Sequence, residues 1–296
     1  LINDIDHPFT NKLVNALYPP GSVIKMTMGM AFFNSNLFDA YSPILCDAYF
    51  ELGDRKFRNW TDKINYDMTI VDAIKTSCDT YFYRGAYRVG IDRITPVLER
   101  YGFGVRTGID LPNEYVGVAP GKEWKRKRYK QPWFQGDTIN TSIGQGNFLV
   151  TPVQIAKNTA IFATGRSVTP HFALRVGEKE LVWDSNDIMS ESEKAALSEI
   201  RRGMWAVANE PSGTGFKALA DAKIRLGAKT GTAQVIGISQ SEKVRIKEED
   251  MEYLNRSHAW ITTYGPVEEP QYVVTVLVEH GARGSTGGPI AARVYN

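Results

Sequence analysis

The residues with chemistry to offer fall into three short groups. Ser22 and Lys25 stand three apart in YPPGSVIKMTMGMAFFN, a spacing that sets both side chains on one face of a helix. A serine hydroxyl is a poor nucleophile until a neighbouring base takes its proton and a pair of donors stabilises the resulting oxyanion. Lys25 suits the base: its surroundings are almost wholly apolar, and burial can lower a lysine pKa by up to about 3–5 units. Alone the pair is unspecific, because a lysine tip can also snorkel to the surface. Ser77-Cys78-Asp79 adds a second hydroxyl and a carboxylate. Lys229-Thr230-Gly231-Thr232 adds a lysine able to hold a carboxylate, beside a glycine that lets another backbone approach closely. Together the three groups offer a nucleophile, a base for it and a cation for an anionic ligand.

Each group needs an element to position it. Pro19, Pro20 and Gly21 break the chain, after which Val23, Ile24, Met26, Met28, Met30, Ala31, Phe32 and Phe33 predict a helix apolar on nearly all sides. Such a helix belongs in the middle of the molecule, with Ser22 at its first turn. Residues 44–68 turn polar and aromatic and suit a surface excursion. Helical patterns follow through Ile70, Ala73 and Ile74 and through TYFYRGAYRVG, and Ser77 and Asp79 fall at their junction.

From Gly102 to Gly146, Gly, Pro and aromatics predict long loops edging a cleft. Within them the basic knot KEWKRKRYK (Lys122 to Lys130) is expected as solvated loop, although it could touch anionic glycan strands or lipid headgroups. TPVQIAKNTAIFATG predicts a helix opened by Thr151 and Pro152 and closed by Gly165. ESEKAALSEIRRGMWAVAN predicts an amphipathic one with Ala195, Leu197, Ile200, Met204 and Val207 inward. KTGTAQVIG, HAWITTYG and QYVVTVLVEHG are then strand-like, separated by Gly or Pro turns, and PIAARVYN could begin a closing helix. Helices first and antiparallel strands last predict an α+β fold, with a helical lobe roughly within 26–222 and a sheet lobe from about 223–296 joined by the N-terminal segment.

Composition sets the outer bounds. The 296 residues are 43% hydrophobic and 23% charged, with a formal net charge of +2, so global attraction to nucleic acid is excluded and no nucleic-acid module motif appears. No run of about 18 apolar residues could span a bilayer, and the chain opens on Leu1 without an initiator methionine. Any membrane anchor is therefore expected upstream. Cys46 and Cys78 match no C-x-x-C pattern, and Cys78 is expected as a buried structural thiol.

The order S-x-x-K, S-D-N, K-T-G is the motif set of class A β-lactamases and penicillin-binding proteins, and all three groups stand here in that order with one departure, in the second. Over almost the whole chain, YPPGSVIK, SCDTYFY, GIDLPNE, EWKRKRYKQPWFQGDTINTSIGQGNFLVTPVQ, GTG, KTGTAQV and HAW closely resemble the transpeptidase domain of class B penicillin-binding proteins, in particular the elongation-type penicillin-binding protein 2 group. The resemblance implies a peptidoglycan D,D-transpeptidase of the penicillin-binding and serine β-lactamase-like fold, working without a cofactor. It further implies that β-lactams acylate it, that a RodA-type glycan polymerase and the MreC scaffold are its partners, and that it works at the periplasmic face of the cytoplasmic membrane, below an upstream transmembrane helix and pedestal.

By the same resemblance Ser22 would attack the D-Ala-D-Ala carbonyl and Lys25 would take its proton. Ser77 would relay a proton to the leaving amine, and Asp79 would hold Lys25 and Ser77 in place. Lys229 and Thr230 would bind the donor carboxylate, with Gly231 beside them, and the amides of Ser22 and Thr232 would form the oxyanion hole. One departure stands out: the wider family most often has asparagine at position 79, and a carboxylate accepts but cannot donate. Cys46 with Asp47, Asp54 and Asp62 resembles part of a zinc loop in some elongation-type relatives, but no histidine lies between Cys46 and Ser77, so no complete metal site is expected.

Other activities share the motifs. A serine β-lactamase of class A would need E-x-x-x-N between the second and third motifs, and class D would need S-x-V where Ser77-Cys78-Asp79 stands. A non-catalytic β-lactam sensor resembles class D and meets the same objection. A D,D-carboxypeptidase differs only in its acceptor, water, and the motifs do not separate it. Trp133, Phe134 and Tyr129 stay open between lining the cleft and packing. His258 stays open between packing and the site, and Gly144-Gln145-Gly146 is expected as a tight turn supporting the cleft.

Overall fold

The computed structural model describes residues 7–235 and 248–296. A single turn, α1 (Lys12–Asn15), leads to the Pro19-Pro20 break and a 3-10 turn at Gly21–Ile24, which runs directly into α2 (Lys25–Asn34). Every α2 residue from Lys25 to Phe33 is buried, as expected for a helix with no polar face. Two small antiparallel pairs follow, β1 (Ile44–Cys46) with β4 (Tyr66–Met68) and β2 (Tyr49–Leu52) with β3 (Arg55–Arg58). Next come α3 (Ile70–Lys75), α4 (Asp79–Val89) and α5 (Ile91–Arg100), then α6 (Lys122–Tyr129), α7 (Gln135–Thr141) and α8 (Pro152–Thr164). Short strands β5 (Ser167–Val168), β6 (Arg175–Val176), β7 (Lys179–Glu180) and β8 (Ser185–Asn186) precede α9 (Glu191–Asn209).

The main sheet is β9 (Gly227–Ala233), β10 (His258–Gly265) and β11 (Tyr272–Val278), antiparallel in the order β11-β10-β9, and α10 (Gly288–Val294) closes the chain. Among the described residues β9 pairs on one side only, with Lys229 opposite Thr262 and Gly231 opposite Trp260. Its other edge faces the 3-10 turn that carries Ser22. Helices α8 and α9 back the sheet, and α3, α4, α5 and α9 surround α2. The result is the α+β arrangement expected from the order of the elements.

Capping set several boundaries where the sequence puts them. Thr151 caps α8 by accepting from the Gln154 amide while the Gln154 side chain accepts from the Thr151 amide, Pro152 takes the first position, and Gly165 ends the helix at φ +78°. Ser190 and Glu193 form the same reciprocal cap on α9.

The excursion expected at 44–68 is largely exposed and is built of short strands, too polar for their pattern to announce them. Three expectations need correction. The basic knot is a helix, α6, and not a solvated loop: Glu123 and Lys127 pair at i, i+4, and Lys125 is buried against Asp137 of α7 at 2.5 Å. On α9 the inward alanine is Ala196, with Ala195 exposed, one residue of helical phase from the expectation. Finally, Cys78 is not a thiol. It forms a disulfide with Cys46, joining the end of β1 to the turn before α4.

That bridge closes a loop of 32 residues. Chain-entropy arguments give a bridge of this span roughly 3–4 kcal/mol of stabilisation. Cys46→Ala with Cys78→Ala is therefore expected to lower the free energy of unfolding by about that much in a urea titration. An unchanged midpoint and slope would show that the bridge constrains nothing.

Candidate active site

The three chemical groups arrive on three elements. Ser22 lies in the 3-10 turn Gly21–Ile24 and Lys25 begins α2, its amide bonded to the Ser22 carbonyl. In a 3-10 turn residues three apart eclipse one another, so both side chains face the same way. Ser22 is half-buried at the cleft floor, whereas Lys25 is fully buried. Ser77 sits in the turn between α3 and α4 at φ +55°, a left-handed conformation that costs a non-glycine residue of order 1 kcal/mol or more. Lys229 and Thr230 lie on β9, the lysine fully buried.

These groups converge on Ser77 Oγ. Lys25 Nζ donates to Ser77 O at 2.9 Å, to Ser77 Oγ at 3.2 Å and to Asp79 Oδ1 at 2.6 Å. Lys229 Nζ reaches the same Ser77 Oγ at 2.9 Å and Thr230 O at 2.9 Å. One hydroxyl thus bridges two buried amines. Burial pulls the Lys25 pKa below the ordinary lysine value, against the raising effect of Asp79. Burial pulls Lys229 further down, helped by the charge of Lys25 and opposed by Asp79. With one carboxylate for two amines, the cluster favours keeping one of them neutral.

Glycine brings the elements close enough. A Cβ on Gly231 would lie 2.9 Å from Val23 Cγ1 and 3.1 Å from the Val23 amide nitrogen, so β9 packs on the Ser22 turn backbone to backbone. Gly144, at φ +70°, would set a Cβ 2.2 Å from Gly21 O. The tight turn expected at Gly144-Gln145-Gly146 thus packs directly on the Ser22 turn, accepting from the Gly21 amide at 3.0 Å, and Gln145 Nε2 donates to Thr232 O at 3.3 Å.

The cleft has a volume of about 560 Å³, and Ser22, Ser77, Asp79, Thr230, Gly231 and Thr232 all line it. Lys25 and Lys229 reach its wall from behind through Ser77. Every expected site residue is therefore in one place.

Some contributors escaped the sequence reading. Thr214, within GTG, lines the cleft and shares a hydrogen bond with Thr230 Oγ1 at 2.7 Å. Asn59 Oδ1 accepts from the Asp79 amide at 3.0 Å, and Trp60 Nε1 donates to Thr76 O at 3.0 Å, bracing the Ser77 turn from the β2-β3 excursion. Only the GTG resemblance pointed to any of these. His258 packs edge-on to Tyr18 and accepts at Nδ1 from the His280 amide, away from the serine cluster. Trp133, Phe134 and Tyr129 do not line the cleft; Trp133 bonds Thr138, and Tyr129 packs on Trp124.

A half-buried serine, a buried lysine one turn on, a bridging second serine and a lysine-bearing edge strand together define a serine acyl-transfer site set between helices and sheet. The chain matches the penicillin binding protein transpeptidase domain family over residues 2–296. It belongs to that family.

Among its relatives, a peptidoglycan D,D-transpeptidase MrdA from Haemophilus influenzae is 37% identical over 307 residues, covering 100% of this chain and 46% of that protein. The Escherichia coli K12 protein of the same name is 32% identical over 303 residues, covering 100% and 48%. Among solved structures, penicillin-binding protein PBP2 of Helicobacter pylori in complex with MreC superposes with a TM-score of 0.90 at 41% identity, over 100% of this chain and 52% of that one. Pseudomonas aeruginosa PBP2 in complex with WCK 5153 gives 0.88 at 33% identity, over 99% and 64%. This chain spans about half the length of the curated relatives it matches.

The contact at Gly144 is unforgiving, because what a methyl would meet is backbone. Gly144→Ala is expected to cost about 2–3 kcal/mol of stability and to slow covalent capture of a penicillin far more than Gly53→Ala, where φ is also positive but nothing lies within 4 Å. Equal capture rates for the two variants would contradict the close approach.

Proposed function

We propose that this chain is the transpeptidase domain of a peptidoglycan D,D-transpeptidase that cross-links stem peptides during cell-wall elongation and is blocked covalently by β-lactams. The observation that carries the reading is Ser77 Oγ bridging the Lys25 and Lys229 amines beside Ser22, in the cleft of a chain that is 37% identical to a D,D-transpeptidase.

In this reading neutral Lys25 accepts the Ser22 proton as Oγ attacks the D-Ala-D-Ala carbonyl. The amides of Ser22 and Thr232 hold the oxyanion. Ser77, in contact with both amines, passes the proton to the departing D-alanine amine, and Asp79 keeps Lys25 and Ser77 aligned. The amine of a second stem peptide then attacks the acyl-enzyme, and Ser22 regains its proton by the reverse route. Lys229, with Thr230 and Gly231, holds the terminal carboxylate of the donor.

The cellular setting follows the same line. A Cys46–Cys78 disulfide suits an oxidising compartment. We place the domain, with a helical lobe within about 26–222 and a sheet lobe from about 223, at the periplasmic face of the inner membrane, held by an upstream anchor and pedestal. Its partners would be a RodA-type polymerase and MreC, with which the Helicobacter pylori PBP2 was solved.

The test is intact-protein mass after incubation with a penicillin, followed by donor turnover. The expected result is one long-lived adduct, absent in Ser22→Ala, where loss of the activated serine costs roughly a million-fold in comparable enzymes. A D-Ala-D-Ala donor with an added amine acceptor should give the transfer product; hydrolysis alone, unaffected by acceptor, would make the chain a carboxypeptidase. Rapid loss of the adduct would make it a β-lactamase.

The pH dependence has a definite sign. Acylation needs unprotonated Lys25, so its rate should climb with pH and level off below the ordinary lysine pKa, burial having lowered that of Lys25. For Lys229 the sense is opposite. A carboxylate arriving beside a neutral amine restores its proton, so carboxylate ligands should bind with proton uptake and lose affinity as pH rises. Lys229→Ala should weaken their capture by about 10- to 100-fold and remove that uptake, read by calorimetry in buffers of different ionisation heat.

A further inference from the structure

The basic run from Lys122 to Lys130 takes no part in the site just described. Six of its nine residues are cationic and one, Glu123, is acidic. Three of the cations are consumed internally: Lys122 pairs with Asp92 at 2.5 Å, Lys125 with Asp137 at 2.5 Å and Lys127 with Glu123 at 2.7 Å. Arg126, Arg128 and Lys130 make no ion pair among the described residues, and all three are exposed. These three positive charges exceed the formal surplus of +2 carried by the whole chain. Beside them stand two exposed rings, Tyr129 at 48% and Phe134 at 57%, with Trp124 edge-on to Tyr129.

The patch is rigidly joined to the cleft. Asp137, which holds Lys125, also accepts from the Phe134 amide at 2.8 Å, tying α6 to the start of α7. Helix α7 runs into Gly144 and Gln145, and Gln145 lines the cleft. Tyr129 Oη donates to Asn147 Oδ1 at 3.4 Å, on the far side of that turn.

We propose that Arg126, Arg128, Lys130 and the Tyr129 and Phe134 rings form a docking surface for a carboxylate-bearing glycan strand, the polymer whose stem peptides enter the cleft. The inference rests on the functional reading above and names a second point of contact for the same substrate. Guanidinium groups pair with carboxylates in two-point geometry, and exposed aromatic rings offer flat apolar faces to sugar rings. A membrane surface fits less well. An interfacial helix needs an apolar face opposite its basic one, whereas six of the eight α6 residues are charged and its buried residue is Lys125. A strand held here while a stem peptide samples the cleft raises the local peptide concentration without any new contact at the reacting bond.

The experiment uses the chain with Ser22 already acylated by penicillin, so that the cleft is blocked, and measures binding to soluble, uncross-linked peptidoglycan strands. The expected result is binding that weakens by at least about tenfold in Arg126→Glu/Arg128→Glu/Lys130→Glu and falls steeply between about 0.05 M and about 0.5 M salt. The variant should acylate at the parent rate, which also shows that it is folded. Strands with amidated carboxylates should bind weakly. Undiminished binding of the triple variant, loss of binding on acylation, or tighter binding to phosphatidylglycerol vesicles than to strands would each overturn the proposal. Failure of the parent chain to acylate would instead overturn the functional reading, and the two failures remain distinct because acylation is read by mass.

Discussion

Two amines and one carboxylate share the interior around a single hydroxyl, and much of the structure exists to hold them there. Lys25 and Lys229 are both fully buried and both reach Ser77 Oγ, with Asp79 as the anion in contact with Lys25. Leaving a buried ammonium unpaired costs several kcal/mol, so the arrangement persists only if the surrounding elements cannot relax away from it. The helix termini add to the bias. Lys25 is the first residue of α2, at the positive end of that helix, where a cation is disfavoured; Asp79 is the first residue of α4, where a negative charge is favoured.

The strain at Ser77 follows from the same requirement. A serine between two helices would ordinarily avoid φ +55°. Here the Lys25 amine fixes the Ser77 carbonyl, the disulfide fixes Cys78, Asn59 fixes the Asp79 amide and Trp60 fixes the Thr76 carbonyl. Four ties from three directions over-determine one turn, which is the condition under which a strained backbone survives. The polar excursion at 44–68 thereby acquires a purpose: it supplies Cys46, Asn59 and Trp60.

What could be read from the sequence was what local physics decides. The all-apolar face count of α2, the Thr151-Pro152 opening and Gly165 closing of α8, and the runs of β-branched and aromatic residues between Gly and Pro turns in β10 and β11 each depend on residues within a few positions of one another. The motif residues were legible because three groups, each unspecific alone, stand in one order that resembles a known family. The pairing of Cys46 with Cys78 was not, since two spaced cysteines do not declare a partner and nothing local distinguishes a bridge from two thiols. Helix α6 was hidden because its one buried tie is non-local, Lys125 reaching twelve residues on to Asp137, while the local Glu123–Lys127 pair is exposed and weak. Asn59 was invisible for a similar reason, its function residing in an amide twenty residues away.

Asp79 is the point where this chain departs from the commoner asparagine, and the geometry gives the departure a physical sense. An amide at that position would donate as well as accept, but it would leave two amines facing one hydroxyl with no negative charge between them. A carboxylate at 2.6 Å from Lys25 lets the cluster carry one proton among its two amines at no net charge. Lys229, farther from that anion in the network and subject to the repulsion of Lys25, is then the amine whose charge depends on what else arrives. An incoming carboxylate is the natural complement, because it restores to the Lys229 side of Ser77 the balance that Asp79 already provides on the Lys25 side. The edge of β9, open toward the cleft and brought against the Ser22 turn at Gly231, is where such a group has to lie to do so.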